Sequence, residues 1–191
     1  MALRPLQAPH PAFWYGSSNE IGAKWAGEHG MHFVANGPTD YSKVNIDAYR
    51  EALAKRGGPA QPKKEFKGGA AVGILRHIVI AETDAEARKI AKPNVDYHVN
   101  SLNWLRKMHA KTEAQVRGLV PRGVTFEEWE KDGMAIAGSP ATVVAEIERQ
   151  ADKLGINYLL TYFFFGTMTL EQALRSLELM RTEVMPKIAH L

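Results

Sequence analysis

Cysteine is absent from all 191 residues, which excludes disulfides, thiolate nucleophiles, Cys-ligated zinc and Cys-ligated iron–sulfur clusters. Long apolar runs are missing too. None approaches the ~20 residues that span a bilayer, and the start Met1-Ala2-Leu3-Arg4-Pro5 lacks the apolar core of an export signal. The expectation is a soluble, cytoplasmic protein with no membrane segment. A dominant charge is lacking as well: 24 basic residues are scattered among 21 acidic ones, for a formal net charge of +3, so nucleic acid is not an expected partner. None of the seven histidines belongs to a His-x-x-x-His or His-Glu-x-x-His pair, and no metal site is expected.

What is present is ordinary for a globular protein, with 45% hydrophobic and 24% charged residues. Residues 1–191 read as one domain, and a complete (β/α)8 barrel, at about 250 residues, barely fits. Pro5, Pro9 and Pro11 make the first twelve residues an extended lead-in. Strands are then predicted near residues 13, 32, 75 and 160, each beside a helix. The helices carry start and stop signals: a Thr-x-x-Glu capping box at Thr83, another at Thr125, a Ser139-Pro140 start, a Thr169 to Gln172 box, and Gly30 and Gly155 as terminators. Pro93 should end or kink its helix. In the last helix Leu174, Leu177, Met180 and Val184 are expected to face inward. Residues 112–136 are too long for a plain loop and form a helical insertion before the last helix–strand unit. The stretch Lys63-Lys64-Glu65-Phe66-Lys67 reads as a solvated, mobile loop.

Alternating strands and helices imply a parallel sheet. Four units are half of an eightfold barrel or a small open doubly wound sheet, and periodicity does not choose between them. In either case ligands gather at the C-terminal ends of the strands. There the turn Gly16-Ser17-Ser18-Asn19 is the best candidate. Gly16 lets a ligand approach the backbone, and the next residues offer hydroxyls, an amide and the N–H groups of a helix start, which suit a phosphate. The competing reading is a simple capping box in which Ser17 and Glu20 satisfy the helix end without a ligand; on local chemistry alone it is the stronger. Tyr97, His98, Asn100, Asn103 and Trp104 fit a half-exposed helix and are assigned no catalytic role.

Pro5-Leu6-Gln7-Ala8-Pro9-His10-Pro11 leading into Phe13-Trp14-Tyr15-Gly16 resembles the entry to the fifth strand of bacterial luciferase-like, flavin-dependent monooxygenases. Ala81 to Ala87 resembles that family's seventh-strand exit. Ala137-Gly138-Ser139-Pro140, Gly155-Ile156-Asn157-Tyr158 and Glu183-Val184-Met185-Pro186 resemble its last helix, eighth strand and closing helix, in order.

The resemblance implies an α/β fold that is the C-terminal half of a TIM-like barrel of about four parallel strands. It implies a monooxygenase or oxidoreductase using FMN, or a related deazaflavin, on an organic small molecule. Gly16, Ser17, Ser18, Asn19 and Ile21 would then hold the flavin phosphate. The family's first four strands carry much of the ring contact, an arginine for the phosphate and the usual dimer interface, and they have no counterpart here. Partners implied are therefore a complementing N-terminal half or a homo-oligomer, and a flavin reductase. Two alternatives remain: a non-catalytic half-barrel that self-associates, and an unrelated open α/β binding module with helices on both faces of its sheet.

Overall fold

The computed structural model describes residues 6–112 and 125–191. The first residues of the lead-in, 1–5, and most of the first half of the expected insertion, 113–124, lie outside them.

Five parallel strands make one sheet: β1 (Trp14–Ser17), β2 (His32–Ala35), β3 (Val72–Ile80), β4 (Ala135–Gly138) and β5 (Tyr158–Tyr162). Helices α1 (Glu20–Glu28), α2 (Thr39–Arg56), α3 (Asp84–His109), α4 (Phe126–Lys131), α5 (Pro140–Leu154), α6 (Leu170–Leu179) and α7 (Met185–Ile188) connect or follow them, with a π-turn at Met180–Val184 between the last two. Four of the strands stand where the sequence places them. The fifth, β4, lies at the end of the segment read as a helical insertion; four residues after a glycine turn are too short a run for periodicity to separate from a loop.

Strands β1, β2 and β3 are neighbours in sequence order, and β5 follows on the far side of β3, pairing Gly73 to His77 with Tyr158 to Tyr162. A doubly wound sheet reverses its strand order part-way; this one advances in a single direction, as a barrel wall does. The nine-residue β3 outruns its neighbours, and its last residues, His77 to Ile80, pair with β4 instead.

Alternation along β3 sorts the core. Val72, Ile74, Ile78 and Ile80 face outward onto the helices, meeting Ala23, Ala26, Ile46 and Tyr49 of α1 and α2, Val143 and Ile147 of α5, and Leu179 at the end of α6. Helices cover the opposite face only beyond His77, where Val79 and Ala81 pack on Ala87, Ala91 and Val95 of α3 and on Phe126 and Trp129 of α4. Aromatic residues also cover it at the strand starts, around His32, and between the two the face is open at Leu75 and Leu160. Helices therefore do not cover both faces evenly, as an open binding module would require.

Three local expectations change. The helix α3 runs through Pro93, and Asn94 Nδ2 donates to the Ile90 carbonyl at 2.7 Å in the turn that the proline disturbs. In the last helix Met180 and Val184 are buried, but Leu174 and Leu177 are 55% and 43% exposed. Phe66, in the basic loop, is half-buried against Trp14, His32 and Tyr158, while the flanking lysines are exposed.

Candidate functional site

Register places the inward-facing residues in layers. Trp14 lies beside His32; Gly16, Val34, Gly73 and Tyr158 form the next layer; Leu75 and Leu160 stand above them, and His77 and Tyr162 above those. Ser18 and Asn36 continue the wall past the ends of β1 and β2. Trp14, Gly16, Val34, Leu75, Tyr158 and Leu160, with the rim residues, bound an open cavity of about 490 Å3, apolar on its β3–β5 side and polar at the rim formed by Ser17, Ser18 and Asn36. Its floor is aromatic. Trp14 packs on His32 at 4.7 Å and on Tyr158 at 4.8 Å, and Phe66 closes the assembly from below. His32 accepts the Ala71 N–H at Nδ1, leaving Nε2 buried without a hydrogen-bond partner, and burial holds its pKa below the ordinary range.

The predicted turn sits at the mouth, but its residues divide the work differently from the expected box. Helix α1 begins at Glu20, so Asn19 is its N-cap: Oδ1 accepts the Gly22 N–H at 2.8 Å, and the Asn19 carbonyl accepts that of Ala23 at 3.1 Å. The Ser17–Glu20 capping box does not form. Glu20 pairs with Lys24 at 2.7 Å instead. Ser17 is buried and internally bonded, its Oγ donating to the Asn19 carbonyl and accepting the Asn19 N–H. Gly16, Ser17 and Ser18 line the cavity, while the Asn19 side chain serves the cap and Ile21 is 82% exposed. The helix start leaves the N–H groups of Glu20 and Ile21 without an intrahelical acceptor.

Gly16 has an extended backbone and open space in front of it. A Cβ added there would meet only the Val34 carbonyl, 4.0 Å away, so neither strain nor packing demands glycine. Gly73, on the same layer, is different, because a Cβ there would stand 2.7 Å from the Tyr158 carbonyl. Gly73 lets two strands pair; Gly16 keeps a cavity wall bare.

Two groups escaped the sequence reading. Arg76 is fully buried, yet alternation turns it away from the cavity and onto the helices. Its Nε donates to Gln150 Oε1 at 2.7 Å, and its guanidinium reaches the Gly37 and Leu75 carbonyls and Thr39 Oγ1. Burial pulls its pKa down to about 10, so it stays charged at neutral pH. The second group lies above the cavity. His77 Nε2 and His98 Nε2 are 3.2 Å apart, and the His77 ring also touches Trp129, Tyr162 and Phe165. Burial, then His98 and Arg76, push the His77 pKa down to about 3; burial lowers that of His98. No sequence signal joins these histidines, 21 positions apart on a strand and a helix. Among the described residues no cluster of three or more potential metal ligands occurs, and no helix is long and apolar enough to cross a membrane.

The family model described as luciferase-like monooxygenase matches residues 1–158. A curated relative, the protein y4wF of Sinorhizobium fredii, itself described as uncharacterized, is 27% identical over 190 residues, which are 98% of this chain and 52% of that protein. Among solved structures, monooxygenase RslO1 from Streptomyces bottropensis superposes with a TM-score of 0.64 at 18% identity, covering 97% of this chain and 51% of its own. The oxygenating constituent of 3,6-diketocamphane monooxygenase from Pseudomonas putida, solved in complex with FMN, gives 0.65 at 22%, covering 93% and 48%. The coenzyme F420-dependent tetrahydromethanopterin reductase of Methanopyrus kandleri gives 0.61 at 20%, covering 92% and 50%. These likenesses show the fold, which is half of a TIM-like barrel, and the chain spans about half the length of the proteins it matches.

Proposed function

The chain belongs to the luciferase-like monooxygenase family, and we propose that it is the C-terminal half of a flavin-dependent oxidoreductase that grips the phosphate of FMN, or of a related deazaflavin, at the Gly16–Asn19 turn. The observation that carries this reading is the bare wall at Gly16, where a glycine that the backbone does not need faces a cavity beside a helix start. Ser18 and the N–H groups of Glu20 and Ile21 would hold the phosphate. Ser17 and Asn19 act on it indirectly, by fixing the shape of the turn. Two of the neighbours carry FMN or coenzyme F420 in their descriptions, and the flavin, when bound, would supply the redox chemistry toward a small organic substrate.

Gly16→Leu tests the reading, because a Cβ there clears the backbone, with the Val34 carbonyl 4.0 Å away, and the rest of the side chain extends from the cavity wall. The expected result is at least a tenfold loss of FMN affinity, about 1.4 kcal/mol, with thermal stability changed by no more than about 1 kcal/mol. FMN binding that survives Gly16→Leu unchanged would place the ligand elsewhere.

The half-barrel is further proposed to work with a complementing half. Exposed apolar residues flank the β5 edge: Leu160 and Tyr162 on the cavity side, Phe164 just past the strand, and Leu170, Leu174 and Leu177 on α6. The β1 edge repeats this with Phe13, Trp14, Ile21 and Trp25. Among the described residues β1 and β5 each pair on one side only, and such edges flanked by apolar surface are an aggregation hazard unless strands and helices cover them. Co-production with the four-unit segment that full-length relatives carry should give a one-to-one complex with higher flavin affinity than this chain alone, measured by light scattering and flavin fluorescence.

A further inference from the structure

We propose that Tyr162 is the residue of this chain that contacts the ring end of the bound flavin, and that the His77–His98 pair positions it there. This rests on the reading that a flavin phosphate occupies the Gly16–Asn19 turn. On β5 the inward residues are Tyr158, Leu160 and Tyr162; the Tyr158 ring is taken up in the floor by Trp14 and Phe66, Leu160 lines the cavity, and Tyr162 stands above it, toward the strand ends where ligands gather, with a ring face and a polar tip. Counted along β1, β2, β3 and β5 it stands three strand spacings from the turn, roughly 14 Å around the wall. That separation suits a ligand with a phosphate at one end and a planar ring system at the other.

Tyr162 rests on a buried histidine at the top of the cavity wall. Its ring lies 4.9 Å from the His77 ring at 35°, yet 48% of the residue remains exposed. His77 beneath it is fixed from three further elements. His98 of α3 shares a hydrogen bond through Nε2, Trp129 of α4 meets it edge-on at 5.1 Å, and Phe165 after β5 meets it edge-on at 5.0 Å. Burying the His77 imidazole is costly unless a partner satisfies it, and half-buried His98 supplies that partner. A leucine or phenylalanine pair would fill the same space, so what the histidines add is orientation: one Nε2 must donate and the other accept, and this fixes the azimuth of the ring on which Tyr162 rests. Both rings are uncharged at neutral pH, which leaves a flat, neutral base under the tyrosine. Of the nearby charges, Arg76 belongs to the opposite face of β3.

The test is an NMR titration of the 21.2 kDa chain with FMN to millimolar concentration, observing the Tyr162 ring, the histidine ring nitrogens and the backbone of Gly16 to Ile21. FMN is expected to shift both the turn and the Tyr162 ring, and Tyr162→Ala should weaken FMN about tenfold, the scale of one lost aromatic contact. His98→Leu should reduce the shift at Tyr162 and weaken FMN by several-fold while the turn still responds. His98→Gln, whose amide N–H can meet His77 Nε2, should restore most of both. A turn that shifts while Tyr162 does not overturns this inference and leaves the phosphate site standing. Shifts nowhere overturn both. Equal behaviour of the Leu and Gln variants would give His98 a packing role only and remove it from the proposal.

Discussion

Acidification from pH 6.5 to pH 4 is expected to destabilise the protein by about 3 kcal/mol through His77 alone. In the unfolded chain this imidazole titrates near 6.5, whereas burial, then His98 and Arg76, hold it down to about 3 in the fold. Between those values the unfolded chain binds one proton more than the folded one, so stability falls as pH falls, at about 1.4 kcal/mol per unit. The effect is absent above the unfolded pKa and complete only near pH 3. His32 and His98, also lowered by burial, add in the same direction. The carboxylates with depressed pKa values, such as Glu82 and Asp84, are exposed and lose their contribution below about pH 4. The window between pH 4 and 6.5 therefore belongs to the histidines. Urea unfolding at four pH values checks this, with His77→Phe as the control. A Phe variant whose pH dependence parallels that of the parent protein would show that His77 is not held neutral in solution.

Arg76→Ala should cost about 3–5 kcal/mol, a large share of the 5–15 kcal/mol that holds a domain of this kind together. Truncation opens a cavity between β3 and the helices and removes the donor for Gln150 Oε1 and the Gly37 carbonyl. The loss spreads because Gln150 is a junction. Its Nε2 also donates to the Gly133 carbonyl at 3.0 Å and to Glu146 at 2.6 Å, so one network ties β3, the entry to α2, the turn before β4, and α5. Arg76→Met keeps most of the volume and should cost about half as much. Denaturant midpoints at constant slope measure both. Because the guanidinium points away from the cavity, neither variant should alter flavin affinity beyond its effect on the folded fraction.

The division between what was legible in the chain and what was not follows from the range of the interactions. The turn at Gly16 was visible because a strand, a glycine, small polar residues and a helix start are contiguous. Its cap was misassigned because Ser17 and Asn19 are both good N-caps, and only the helix entry angle selects Asn19. The exposure of Leu174 and Leu177 escaped for the opposite reason. Their spacing is that of a buried face, and α6 does have an apolar stripe there, but among the described residues nothing covers it fully. The strand β4 went unseen because it is short and exists only where β3 outgrows the barrel wall and offers it an edge.

By itself, then, the sequence determined four of the five strands, the helices beside them and the caps that start and stop most of those helices, since each depends on residues within a few positions of one another. Only the tertiary structure decided which face of the sheet stays open, that Gly16 borders empty space, that Arg76 is a buried strut and not an anion ligand, and that His77 and His98 meet beneath Tyr162. Those facts depend on register and on helices crossing strands tens of residues away. A one-residue change of register would send every side chain of β3 to the opposite face.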